Sequence, residues 1–257
     1  MGVILRANGV SFENNPVGFV PPVPEGLEYW NYFGVDAARS ARNLAPGKAP
    51  GAVVGAPVYA GGYATLNQLG FIQTQALQTA NLTLIAAFRN TAEVSAQVMS
   101  NNSSARKAPL TGSTYGASLW TQAGTLGDNN VGINFNQNQF DGTSAHNGQT
   151  TLVASLSNQA INTWRCVAGI HTDSTNQSVV RNLSNGTSAT VTASAPNTIP
   201  DVGTGPFRIG YGNNSGLGTG ASDIAFAAVY SRALALAELQ AVYDHAKAYL
   251  AKRGISI

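Results

Sequence analysis

Between Tyr115 and His146 the chain carries Trp120, and then Asn134, Asn136 and Asn138 at every second position. Amides and hydroxyls beside an aromatic face are the groups that grip a sugar: the ring covers its apolar side and the amides make its hydrogen bonds. Val131, Ile133 and Phe135 alternate with Gly132, Asn134 and Asn136. That is the two-residue period of a strand with one apolar face and one amide face. Trp120, Asn134, Asn136, Asn138, Tyr115 and His146 are therefore the candidate glycan-binding residues. The plainer alternative is that Trp120 packs in a core and the asparagines form a solvated sheet face.

Other chemistries find less support. Asp128-Asn129-Asn130 and Asp141 offer oxygen ligands suited to calcium. The same residue types are also the ordinary furniture of turns, so Asp128 and Asp141 are metal candidates of the weaker kind. Glycoside hydrolysis needs two carboxyl groups held about 5–9.5 Å apart. Glutamates occur only at 13, 25, 28, 93 and 238, and none has an acidic neighbour at the spacing of such enzymes. There is no Gly-x-Ser-x-Gly elbow, and the three histidines are scattered. His171 closes a strand-like run and reads as a surface or edge residue. The lone cysteine, Cys166, excludes an internal disulfide, and its apolar setting reads as a buried, inert thiol. The expectation is a protein that is not an enzyme and has no cofactor, calcium apart.

The elements that must position these groups are mostly strands. Charged residues make up 10% of 257, against about 25% in ordinary soluble proteins, while the hydrophobic fraction is 44%. Strand-like runs fall at Leu27–Phe33, Tyr63–Ile72, Leu82–Arg89, Trp164–His171 and Asp223–Tyr230, with Asn185-Gly186 a tight-turn signal. In the last run Ile224, Phe226 and Ala228 alternate with Ala225, Ala227 and Val229, so both faces are apolar and the strand is expected between two layers. Leu239, Val242, Tyr243, Ala246, Tyr249 and Leu250 mark one amphipathic helix over 236–253, with Glu238 near its start and Gly254 after its end. Residues 1–26, broken by Pro16, Pro21, Pro22 and Pro24, read as an extended N-terminal arm ahead of a single domain over 27–257.

The segment Phe207-Arg208-Ile209-Gly210, a Gly-rich loop, and then Ile224, Tyr230, Arg232, Leu234 and Glu238 resembles the closing segment of the laminin-G-like, concanavalin A-like jelly-roll superfamily. Asp36, Asn43-Leu44 and Gly47, the Leu82–Arg89 run and the Trp164–His171 run are similar to earlier family segments, so the resemblance covers about Leu27 to Gly254. It implies an all-β sandwich of two antiparallel sheets with one C-terminal α-helix. The family often places Ser or Thr at the helix N-cap, where this chain has Ala235. Some members hold calcium in rim loops, and others are glucanases, whose paired carboxylates are missing here.

A net charge of +2 without long basic runs argues against nucleic acid as a partner. No stretch approaches the roughly 20 apolar residues of a membrane span. The start of the chain lacks the apolar run of a signal peptide. Domains of this family usually work outside cells. A phage virion protein, assembled in the host cytoplasm and released by lysis, reconciles these expectations. Its partners would be other virion subunits in a homo-oligomer and host cell-surface glycan. The alternative role is purely structural, a decoration or connector protein.

Overall fold

A computed structural model describes residues 19–125, 127–143, 149–212 and 218–257. Two eight-stranded antiparallel sheets lie face to face, and one long helix covers the far side of the first. The first sheet runs β15 (Ser188–Thr192), β14 (Gln177–Asn182), β13 (Arg165–Thr172), β6 (Leu82–Arg89), β18 (Ser222–Tyr230), β4 (Tyr63–Leu66) and β3 (Val58–Ala60), with β1 (Leu27–Tyr32) also paired to β18. The second runs β12 (Gln149–Ala160), β11 (Asn130–Phe140), β10 (Ala117–Ala123), β7 (Ala96–Ser100), β17 (Arg208–Ile209), β5 (Gly70–Gln73) and β2 (Ala52–Gly55). Short β16 (Ile199–Pro200) adds to β11, while β8 (Ser104–Ala105) and β9 (Ser113–Thr114) form a separate ribbon. The α-helices among the described residues are α1 (Ala37–Ser40) and α2 (Leu236–Ala251).

Two apolar cores follow from this layering. Leu84, Phe88, Val167 and Val229 of the first sheet meet Met99, Leu119, Ile133 and Phe135 of the second. On the other side of the first sheet, Trp30, Ile85, Phe226 and Ala228 pack with Leu239, Val242 and Ala246 of α2. The first sheet is thus covered twice, as the apolar faces of β18 require. Its alternation is not the strict one expected, because the register against β6 slips between Ile224 and Phe226. That bulge moves Phe226 to the helix side with Ala225 and Ala228, and leaves Ile224, Ala227 and Val229 inside.

The stripe of α2 buries Leu239, Val242, Tyr243, Ala246 and Leu250, and Tyr249 stacks on Tyr32 at 3.8 Å. Ala235 has no side-chain acceptor, so only the return half of a capping box exists: its N–H donates to Glu238 Oε2 at 2.8 Å. Arg232 grips the same carboxylate through both Nη atoms, at 2.9 and 2.6 Å. These contacts hold the Glu238 carboxyl below its ordinary range, the Arg232 hydrogen bonds first.

Of the expected N-terminal arm, residues 1–18 lie outside the described residues. The remainder packs on this same chain. Phe19 sits 5.5 Å from the Trp30 ring and 5.8 Å from His245, and Val23 is buried. Asn185 accepts from Thr187 N–H while Gly186, at φ 77°, turns the chain between β14 and β15. His171 is not the surface residue its position suggested: it is fully buried between the sheets. Its Nε2–H donates to the Gln139 amide oxygen at 3.2 Å, and the Ser178 hydroxyl bonds Nδ1 at 3.0 Å. Two polar partners at the end of the sandwich make a neutral imidazole acceptable there, and burial lowers its pKa to about 4. Cys166 is buried and its thiol pKa is raised by desolvation. No helix among the described residues is long and apolar enough to cross a membrane.

Candidate functional site

The orientation of β11 is fixed by one close contact between the sheets. Gly169 of β13 faces the Phe135 ring so closely that a Cβ there would lie 2.2 Å from a ring carbon. Phe135 fills that gap. Its neighbours Asn134 and Asn136 then point to the opposite, outer face of the second sheet. On that face Trp120 of β10 stands beside Asn134 of β11 and Gln97 of β7, while Asn136 stands beside Val153 of β12.

These side chains form a groove of about 420 Å³ lined by Ser95, Gln97, Asn102, Tyr115, Trp120, Asn136, Thr151, Val153 and Gly218. The lining combines an indole, a phenol that is 47% exposed, an exposed valine and several amides and hydroxyls. Gln97 is 4% exposed, and its Oε1 is buried without a partner among the described residues. On the other side of Trp120, Asn134 is 2% exposed. The Ser155 hydroxyl, at 2.5 Å, satisfies one atom of its amide and the nitrogen is left over. An aromatic plate is thus flanked by an unmatched acceptor and an unmatched donor. Each costs free energy while unpaired, on the order of 1–3 kcal/mol.

The expected residues separate as follows. Tyr115, Trp120 and Asn136 line one groove, and Asn134 adjoins it beside Trp120. Asn138 continues the outer face but is closed to a ligand. It is fully buried, donating to Thr114 Oγ1 at 3.1 Å and Asp201 Oδ2 at 3.2 Å. The reason is the strand's neighbour: Asp201 also binds Arg106 at 3.0 Å in a wholly buried ion pair that covers this end of the sheet. His146 lies outside the described residues.

The two metal candidates do not meet. Asp128 precedes β11 and Asp141 follows it, and a strand of 11 residues separates its ends by roughly 35 Å. They cannot share one ion. Asp141 Oδ1 accepts from both the N–H and the hydroxyl of Thr143, which depresses its pKa. The Asp128 loop is ordered by Glu93, whose carboxylate accepts from the N–H groups of Gly127 and Asn129. No group of three or more His, Cys, Asp or Glu among the described residues is arranged to hold a metal ion.

Sequence reasoning missed Gln97, Asn102, Thr151 and Val153. The β12 pair carried a usable signal, since Leu152, Ala154 and Leu156 alternate with Thr151, Val153 and Ser155. Gln97 carried none, being one amide in an otherwise apolar run.

No protein-family model matches the chain, and no curated protein sequence matches it. Among solved structures, the binding domain of botulinum neurotoxin DC in complex with SialylT superposes with a TM-score of 0.57 at 8% identity, over 87% of this chain and 52% of that one. The same binding domain in complex with rat synaptotagmin II gives 0.59 at 9% identity, over 87% and 52%. Trypanosoma rangeli sialidase in complex with sialic acid gives 0.51 at 13% identity, over 85% and 32%. The chain therefore spans about half or less of the length of these proteins. At such identities the likeness establishes the fold alone: a β-sandwich of two antiparallel sheets.

Proposed function

We propose that this chain is a non-enzymatic carbohydrate-binding module whose site is the outer-face groove around Trp120. The observation that carries the reading is an outer-face groove of about 420 Å³ in which the Trp120 ring, the exposed Tyr115 phenol and the Asn102 and Asn136 amides come together. An apolar plate with a few aimed polar groups is the common form of a small-ligand site. Two kinds of solved neighbour, the neurotoxin binding domain with SialylT and the sialidase with sialic acid, add fold-level support. No carboxyl group lines this groove among the described residues, which favours binding over hydrolysis. In the same proposal the glycan belongs to a host cell surface and the chain to a phage or phage-like particle.

A second reading, a virion decoration or connector protein, is favoured by one surface. The terminal strands β2 and β3 of the two sheets carry exposed Val54 and Val58, and exposed Leu69 lies on the turn beside them. Free edges with apolar side chains suit contact with another subunit.

The test is binding of the purified chain to host polysaccharide and a glycan array, with calcium and with chelator. Saturable binding is expected, weakened about thirtyfold by Trp120→Ala, the usual cost of losing a central aromatic contact. Unchanged binding by a Trp120→Ala chain with a normal unfolding midpoint contradicts the glycan reading. Association only with particle components favours the structural one.

A further inference from the structure

We infer that the groove takes an uncharged glycan in chain form, laid along the strands past Trp120 onto a second sugar subsite floored by Gly132. This rests on the carbohydrate reading and narrows it.

The outer face does not end at Trp120. Gln122 follows it on the same face of β10, opposite Gly132 of β11, just as Trp120 is opposite Asn134. A second depression of about 420 Å³ opens there, lined among others by Gln122, Gly132, Asn130, Ser157 and Asp128. Two strand residues advance about 7 Å, so the two depressions are successive positions along one track. Where the first is bordered by Val153 of β12, the second is bordered by Ser157, four residues further on. At the second depression β12 holds one extra residue, since Val131 and Ile133 pair with Gln159 and Leu156, and Asn158 turns at φ 55°. The bulge bends β12 at this point.

Gly132 makes the floor low. Nothing in the backbone demands glycine: its φ is not in the left-handed region, and an added Cβ would meet Gln122 Cβ and the Leu156 carbonyl at an ordinary 3.8 Å. What the missing side chain provides is room.

Charge selects the ligand class. The first depression is lined by no charged side chain among the described residues, and the second only by Asp128, an anion. A carboxylate sugar such as sialic acid would be desolvated there without a cation to receive it. A run of uncharged hexose units meets hydroxyls and amides throughout. This chain would then differ in ligand charge from the sialidase it resembles in fold.

Calorimetric titration of the full chain with the dimers and hexamers of cellulose, laminarin, mannan and chitin, and with sialyllactose, tests this. The expected result is that one neutral series binds, the hexamer about tenfold tighter than the dimer, a difference of about 1.4 kcal/mol. Sialyllactose should not bind. Gly132→Val should reduce the hexamer to the affinity of the dimer and leave the dimer unchanged. Should Gly132→Val shift the unfolding midpoint, Gln122→Ala at an exposed position replaces it, with about a threefold loss confined to the hexamer. Equal affinity for dimer and hexamer with both variants silent, or preference for sialyllactose, overturns the inference while Trp120→Ala still weakens binding. If no sugar binds, or binding ignores Trp120→Ala, the carbohydrate reading itself fails and the subsite with it.

Discussion

Strands β18 and β11 each lay one face on the same inter-sheet core, and they differ in what meets the other face. Ile224 and Val229 of β18 and Ile133 and Phe135 of β11 share that core. On the far side of β18, Phe226, Ala228 and Tyr230 are sealed under α2 with Trp30. On the far side of β11 no helix among the described residues lies over Asn134 and Asn136; they are buried among neighbouring side chains, and Trp120 stands beside them at the groove. One sandwich therefore carries a face sealed for stability and, on the proposed function, a face left for recognition. The division follows from the helix, which can cover only one of the two sheets.

The largest expected effect tests that division directly. Phe226 packs on Trp30 at 4.7 Å and is fully buried, so Phe226→Ala should cost about 3–5 kcal/mol in denaturant unfolding. Tyr115→Ala, at a side chain that is 47% exposed and lines the groove, should stay within about 0.5 kcal/mol. In glycan binding the ranking should invert for whatever fraction remains folded. Comparable stability losses from the two variants would mean that the groove face is structural as well.

The next effect concerns the histidine that the core holds neutral. The unfolded imidazole takes up a proton below its ordinary value near 6.5, whereas in the fold it does so only near about 4. Between those values the unfolded state binds more protons, so stability is full above pH 6.5 and falls as the pH is lowered toward 4. At about 1.4 kcal/mol per unit, the loss by pH 5 is about 2 kcal/mol. His245, half-buried against Trp30, is shifted in the same direction by burial and adds to the slope. In His171→Gln the slope between pH 6.5 and 5 should shrink to the His245 part. A wild-type midpoint flat over that range would show that His171 reaches solvent.

How far the sequence revealed these two faces depended on whether its signal was local. The strand runs, the α2 stripe and the doubly apolar β18 were legible because burial leaves a period in each segment by itself. The bulge that reassigns Phe226 was not, because it exists only in the register against β6. Asn134, Asn136 and Trp120 were legible as one face plus a nearby aromatic. Asn138 belonged to the same alternation, yet Asp201, 63 residues away, closes over it. The Arg106–Asp201 pair spans 95 residues and has no sequence period to announce it. His171 was misplaced for the same reason, since Gln139 and Ser178 come from different strands.

The smallest effect lies on the sealed side, at the start of the helix that makes it sealed. Ala235 already has the extended backbone of an N-cap, φ −69° and ψ 160°, and is exposed, so a serine there meets neither strain nor a neighbour. Its hydroxyl would accept from a first-turn N–H that Ala235 leaves unmatched, completing the box that Glu238 half forms. Ala235→Ser should therefore stabilise by about 1 kcal/mol, read as a shift of the denaturant midpoint with unchanged slope. The gain should not depend on pH, because serine does not titrate. The Glu238 contribution does: its folded pKa is depressed, so that part is present above the ordinary carboxylate range and lost as pH falls through the lowered value. A gain that vanished on acidification would show that the serine acts through the Arg232–Glu238 pair. A gain that persisted would place it on the helix backbone, and glycan binding at the opposite face should be unchanged in either case.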